Sequence, residues 1–385
     1  MAYVAVKGGR DAIEASIRQL QAERLKSERV LDVRDIRAGM RILVDQVMSE
    51  SSVYAPFETS IAIKQAEGSP EEAVFLMRAF RSTLPRTHYS LTTDTSTMRL
   101  RRRISACFKE IPGGQILGPS FDYTHRLINF DLVSETPATL QAAETKHATV
   151  PALTQEADGN PALVLPKVST YLQQEGLLRS FGRDDTQPED ITRRSLQFPT
   201  KRSERLQTLT RAQTGALTAF GYAAQRGYGA IHPTVGELRY GAVAVCVADP
   251  HGVAGATDAN PDDAYYVGEF MATEVETLIP VSIDLGQGRK EIEFETGYGL
   301  CFGHNETKAI SMSLVEHCLE SGDKTYPTGD EEFVLYHLDS VEATGFISHL
   351  KLPHYVTFQS KLDSVRKVRN ENKVADKGES DAQNL

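Results

Sequence analysis

The chain has 385 residues, 40% hydrophobic and 24% charged, with 42 Lys and Arg against 52 Asp and Glu for a formal net charge of -10. That length suits two domains with ample core, the acidic balance speaks against general nucleic-acid binding, and no apolar run is long enough to span a bilayer. Cys107, Cys246, Cys301 and Cys318 are widely spaced and form no CxxC, which excludes a zinc ribbon or disulfide framework and leaves reduced core thiols as the expectation.

Residues 1–10 lack the apolar core of a signal peptide, so a cytoplasmic chain is expected. Residues 10–84 read as helices. Ile13, Ile17, Leu20 and Leu25 make one apolar stripe, and Ile36, Met40, Leu43 and Val47 make another. Ser69-Pro70-Glu71-Glu72 is a helix start, with Ser as N-cap, Pro in the first turn and Glu three residues after the cap; Val74, Met77 and Phe80 then face inward.

The character changes at Met98. Arg99, Arg101, Arg102 and Arg103 form a dense basic cluster, and residues 111–119 form a loop in which Gly113 and Gly114 leave backbone N–H groups able to face a ligand. This pairing suits an anion site, and equally a solvated or subunit-contacting basic face. Residues 123–130 read as a strand. From 134 to 190 prolines recur among polar residues, which suggests a linker holding one short helix from Val168 to Leu178. A second basic cluster, Arg193 to Arg211, leads into a helix bearing Leu206, Leu209, Leu217 and Phe220.

The following part is strand-rich. Val243, Val245 and Val247 alternate with small residues, and Ile292 and Phe294 share a face. Two glycine turns frame these strands, one with Arg226, Gly227 and Gly229, the other running from Thr296 to His304. Neither has the spacing and strand context of a dinucleotide fingerprint, but each lets backbone approach a phosphate or sugar. Asn305 then caps a helix with Ile310, Leu314, Val315 and Cys318, placing Gly303 and His304 at a helix N-terminus suited to an anion.

Residues 330–358 concentrate the chemistry. Asp330 is an N-cap, Glu331 and Glu332 sit in a first turn, and Gly345 is the stop. His349 and His354 are five residues apart, a spacing that no regular helix or strand brings to one ion, whereas a turn at Pro353 does. The pair reads as a two-histidine metal site or as two surface histidines near a helix end. Leu362, Val365 and Val368 mark a last amphipathic helix, and residues 375–385 read as a disordered tail.

The fold class expected is α+β: an N-terminal helical layer, then a mainly antiparallel sheet with flanking helices. The expected divisions are a helical domain over 1–133, a linker region over 134–190, an α+β domain over 191–374, and the tail over 375–385.

Several segments, in the same order along most of the chain, resemble the PhnI family, the I subunit of the bacterial carbon–phosphorus lyase core complex. They are YVAVKGG, RRISACFKEIPGGQILGPSFDYTHRL, QRGYGAIHP, GYGLCFG and DEEFVLYHLDSVEATGFISHLKLPHYVTFQ. The resemblance implies that the chain, with G, H and L subunits, displaces the adenine of MgATP by an alkylphosphonate to give α-D-ribose 1-methylphosphonate 5-triphosphate. Alone it would act as a nucleosidase with water. It further implies zinc on His349 and His354, facing a J subunit that later cleaves the carbon–phosphorus bond, and two copies in a symmetric hetero-oligomer, with no nucleic acid and no membrane as partner. The competing reading is a non-catalytic scaffold presenting that zinc site. Base displacement develops positive charge on ribose and calls for a carboxylate, for which Glu331 and Glu332 are candidates beside their plain role at the helix start. The triphosphate, its Mg2+ and the phosphonate call for cations and free N–H groups, for which Arg101, Arg102, Arg103, Gly113, Gly114, Arg226 and Gly229 are candidates.

Overall fold

Helices open the chain where apolar spacing places them: α1 (Gly9–Leu25), α2 (Val33–Gly39), α3 (Arg41–Ser51), α4 (Pro56–Gln65) and α5 (Pro70–Thr83). The computed structural model describes residues 9–27, 29–139, 141, 165–178, 186–228, 233–248, 264–352 and 355–382. At α5 the expected cap forms, the Glu72 N–H donating to Ser69 Oγ with Pro70 in the first turn. Val74 and Met77 are buried, but Phe80 is exposed because α5 buries a narrower stripe than its sequence offers. α1 buries no residue, so its apolar stripe builds no core.

Four strands then form one antiparallel sheet in the order β1 (Arg99–Ile104), β2 (Thr234–Ala248), β3 (Ala264–Gly286) and β4 (Arg289–Phe302). Gln287 and Gly288, both at positive φ, make the tight β3–β4 turn, a geometry that matches the strand twist. Gly297 and Gly299 lie inside β4 and not in a turn, contrary to the sequence reading. A Cβ on Gly297 would overlap the Ser313 carbonyl and one on Gly299 the Ala309 carbonyl, so these glycines let α9 (Glu306–Ser321) lie directly on the strand. That contact seeds the main core, where Leu238, Val275 and Cys301 of the sheet meet Met312, Val315 and Leu319 of α9, with Leu209 of α7 (Arg202–Arg211) and Leu217 of α8 (Thr214–Ala223).

The outer edge of β4 is closed by side chains. Leu300 N–H donates to Met312 Sδ, Leu300 O accepts from Thr210, and Tyr298 N–H donates to Glu316. The opposite face of the sheet is covered by α6 (Val168–Gln174), whose Val168 and Leu172 pack with Leu278 and Ile111. The short helix expected in the linker forms, but Leu165, Val168, Leu172 and Leu178 are buried, so this stretch packs on the sheet, a tertiary contact that helical spacing among polar neighbours does not reveal. The strand expected at 123–130 is absent, and Leu127, Ile128 and Phe130 are exposed.

The chain divides into two units, Asp32–Ser340 and Met1–Leu31 with Val341–Leu385. The division expected at 133 does not separate domains, because β1 pairs with β2 in one sheet. In the smaller unit α11 (Ser340–Ser348) passes through Gly345, the expected stop. α12 (Tyr355–Ala382) continues as helix where a disordered tail was expected. Phe346, Ile347, Leu350, Phe358, Val365 and Val368 of this unit are exposed. No described helix is long and apolar enough to cross a membrane.

Candidate functional site

The corner from β4 into α9 is built by Gly303, and it gathers most of the chemistry in the larger unit. Gly303 adopts φ 68°, donates its N–H to Met271 O at 2.7 Å and accepts from the Thr273 hydroxyl at 2.6 Å. A Cβ at this position would overlap the Asp45 carboxylate, so glycine is needed for both conformation and space. Asp45, one turn into α3, uses that space to accept the His304 N–H at 2.9 Å.

His304 is held on three sides. Its Nδ1 lies 3.0 Å from Arg41 Nη1, and its Nε2 lies 2.6 Å from Glu306 Oε1. A guanidinium only donates, so Nδ1 accepts and Nε2 carries the proton that Glu306 receives. The Tyr240 ring stacks on the imidazole at 4.4 Å with planes 13° apart. Glu306 is also ion-paired to Arg102, whose Nε is 2.6 Å from Oε1, and Arg102 pairs with Asp122 at 2.6 Å. The result is a continuous line, Asp122–Arg102–Glu306–His304–Arg41.

Electrostatics follow from this packing. Burial pushes the Glu306 carboxyl up, but the His304 hydrogen bond and the Arg102 charge outweigh it, and the pKa falls below the usual carboxylate range. Burial raises the Asp45 carboxyl, and the His304 amide and the nearby charges only partly offset that rise. Burial, with the Asp45 charge, also raises the Tyr240 phenol, against the opposing fields of Arg101 and Arg41. Such a centre holds a guanidinium in fixed aim through a neutral imidazole, and offers a phenol beside it.

The sequence candidates fall in separate places. Arg101 is exposed on β1 beside Tyr240. Arg102 and Arg103 are fully buried: Arg103 is bonded to Glu237 and to the carbonyls of Pro112 and Pro166, so both serve as internal cations and neither faces a ligand. Their strand position beside buried Glu237 and the largely covered Glu306 is what draws them inside. Gly113 and Gly114 adopt positive φ, but the Gly114 N–H is spent on Ile111 O, and a Cβ on Gly113 would strike Leu165. These glycines serve the turn. Arg226 lies over the exposed Tyr222 ring, 5.9 Å to its centroid; Gly229 lies outside the described residues.

Asp330 is the N-cap of α10 (Glu331–Tyr336), accepting from Phe333 N–H at 3.0 Å, as its sequence position implies. The helix breaks at His337, and α11 starts anew at Ser340. Glu331 receives the Thr200 N–H and hydroxyl and sits 3.5 Å from Arg205, while Glu332 is exposed. His349 has its Nδ1 against the Phe346 carbonyl, a bond that fixes the tautomer with its lone pair on Nε2. His354 lies outside the described residues. Among the described residues no group of three or more His, Cys, Asp or Glu is placed to hold a metal. Of the cysteines only Cys301 is buried, and Cys107 is exposed.

Sequence reasoning found Gly303 and His304 at a helix start but missed Arg41, Asp45, Tyr240 and Glu306. The available signal was local for Glu306 alone, since a carboxylate two residues after a histidine at a helix start reaches back to it.

The fold and this centre define an α+β protein with a guanidinium–carboxylate–imidazole line at a strand-to-helix corner. The chain belongs to the family described as bacterial phosphonate metabolism protein (PhnI), which it matches over residues 2–372. It is 43% identical over 376 residues to the putative C-P lyase subunit protein HtxH of Stutzerimonas stutzeri, covering 96% of each chain. It is 41% identical to the alpha-D-ribose 1-methylphosphonate 5-triphosphate synthase subunit PhnI of Rhizobium meliloti (strain 1021), over 98% of each chain. The subunit of that name from Escherichia coli (strain K12) is also 41% identical, over 96% of this chain and 99% of that one.

Proposed function

We propose that the chain is the catalytic I subunit of an α-D-ribose 1-methylphosphonate 5-triphosphate synthase. With G, H and L subunits it displaces adenine from MgATP by methylphosphonate, and alone it transfers the ribosyl group to water. The supporting observation is the 41% identity, over nearly the whole of both chains, to two relatives that carry that name.

In this reaction the bond from the anomeric carbon to N9 breaks, its electron pair leaves on adenine, and adenine takes up a proton. An oxygen of phosphonate or water forms the new bond. A carboxylate near the ribose stabilises the developing positive charge. Glu332 is exposed and, among the described residues, its side chain has no hydrogen-bond or ion-pair partner, which suits that role better than Glu331, whose oxygens are engaged by Thr200 and Arg205.

His349 and His354 hold zinc in this reading, and the fixed tautomer of His349 fits a ligand. Two histidines leave positions of a tetrahedral ion to other donors, which suits a boundary with the J subunit. Zinc there would supply a Lewis acid. A second reading, a scaffold that presents this zinc to the J subunit, is favoured by the exposed apolar side chains of α11 and α12.

Adenine release from MgATP by the purified, folded and zinc-loaded chain separates the two. Release is expected; its absence would leave the scaffold reading standing.

A further inference from the structure

Tyr240 is 6% exposed and its ring is buried, but its hydroxyl bonds no described residue and is not sealed from solvent, so it is open to an incoming group. The groups that act on this hydroxyl are Asp45, Arg101, Arg41 and Tyr54. Asp45 is committed to the His304 amide. Among the described residues the Arg101 side chain has no hydrogen-bond or ion-pair partner.

The position of Arg101 has a backbone cause. In the β1–β2 ladder Leu100 pairs with Gly241 and Arg102 with Tyr240, so Arg101 is the extra residue of a β-bulge. A bulge turns two successive side chains toward one side and bends the strand, and bulges recur beside active sites. Arg101 thereby joins Arg102 on the Tyr240 face, where regular alternation would have sent it to the side of Arg103.

Three guanidinium groups, Arg41, Arg101 and Arg102, meet three carboxylates, Asp45, Asp122 and Glu306, but the carboxylates are shared unevenly. Arg102 is answered by Glu306 and Asp122. Among the described residues the Arg41 side chain is held by the accepting nitrogen of His304, which orients it without neutralising it. Among the described residues no carboxylate is ion-paired to Arg41 or Arg101, and Asp45, the carboxylate on this side, is turned to the His304 amide beside the open Tyr240 hydroxyl.

We propose that Arg41, Arg101 and the Tyr240 hydroxyl form a seat for a tetrahedral phosphorus oxyanion, with His304 as the positioning residue for Arg41. Guanidinium forks and a phenol O–H match the terminal oxygens of such an anion, and no acceptor is needed from the protein. The inference rests on the proposed reaction for its ligand, which that reaction supplies in two forms: the triphosphate of MgATP and the phosphonate nucleophile.

The test uses the complex of the chain with its partner subunits, comparing wild type with Arg101→Gln and Tyr240→Phe. Both substitutions keep most of the side-chain volume, and Phe retains the stack on His304. KM values for MgATP and for methylphosphonate are read from adenine release. Loss of one charge-assisted hydrogen bond corresponds to roughly a tenfold to hundredfold rise in the KM of the seated anion. The larger rise on methylphosphonate assigns the seat to the nucleophile, and the larger rise on MgATP assigns it to the triphosphate. Changes below about threefold in both KM values for both variants would overturn the seat. If the wild-type complex releases no adenine, the reaction reading fails by itself. Calorimetric binding of inorganic triphosphate and of methylphosphonate then decides the seat, and equal affinities in wild type and Arg101→Gln would overturn it.

Discussion

Replacing Glu306 with Gln removes one charge from the line that orients His304 while leaving an oxygen for the His304 N–H. The Arg102 side chain is 0% exposed and that of Glu306 18%, so the lost charge acts in a poorly screened place. Deleting a buried partner outright costs about 3–5 kcal/mol. Arg102 keeps Asp122 and the Leu117 carbonyl, which lowers the expectation to about 2 kcal/mol, the scale of one hydrogen bond to a charged group. Urea unfolding at pH 7 reads this as a lower midpoint with the slope retained. The Glu306 pKa in the folded chain is below its ordinary 4.5, so between the two values the unfolded chain binds the extra proton. Wild-type stability therefore rises with pH through that window and is lost as pH falls through it. The gap between wild type and Glu306→Gln should be complete at neutral pH and should narrow below about pH 4.5. A difference under about 0.5 kcal/mol at pH 7, the size of an ordinary surface change, would refute the reasoning, as would a gap that widens on acidification.

Asp45→Asn keeps an oxygen for the His304 amide and removes a buried charge. Since burial raises the Asp45 pKa above 3.8, the wild type loses stability as pH rises through that folded value. The variant should melt at or above the wild-type temperature at pH 7 and together with it at pH 3. Gly299→Ala should cost about 1–3 kcal/mol, read by circular dichroism melting, because its Cβ meets the Ala309 carbonyl of α9. Gly345→Ala, in the interior of α11 with open space around it, should instead stabilise the helix by about 0.5–1 kcal/mol. Changing His349 and His354 together to Ala should abolish bound zinc in metal analysis without altering the circular dichroism spectrum; unchanged zinc content would remove the histidine site.

What could be read locally was read well where the physics is local. The caps at Ser69 and Asp330 depend on a side chain and an N–H three residues away, and both form. The alternating valines of β2 and the α+β class follow from periodicity, and the family follows from ordered segments along the chain. Gly345 shows the limit of this reasoning. A single glycine costs a helix only about 1 kcal/mol, which neighbouring residues can absorb, so it did not stop α11.

The candidate site was legible only in outline. Arg102 and Arg103 look like a solvated basic face because the carboxylates that meet them inside the fold are remote: Glu306 is 204 residues beyond Arg102 and Glu237 is 134 beyond Arg103, while the nearer Asp122, 20 residues on, is itself half exposed. Arg41 reaches His304 across 263 residues. No window of sequence contains such a pair.

The sequence by itself determined the family, the main helices and strands, the capping residues and the presence of a histidine at the start of α9. Only the tertiary structure decided which arginines are internal counter-ions and which one stands free beside Tyr240. That choice turns on a bulge in β1 and on β4 glycines that bring α9 close, and both are properties of paired backbones rather than of any residue alone.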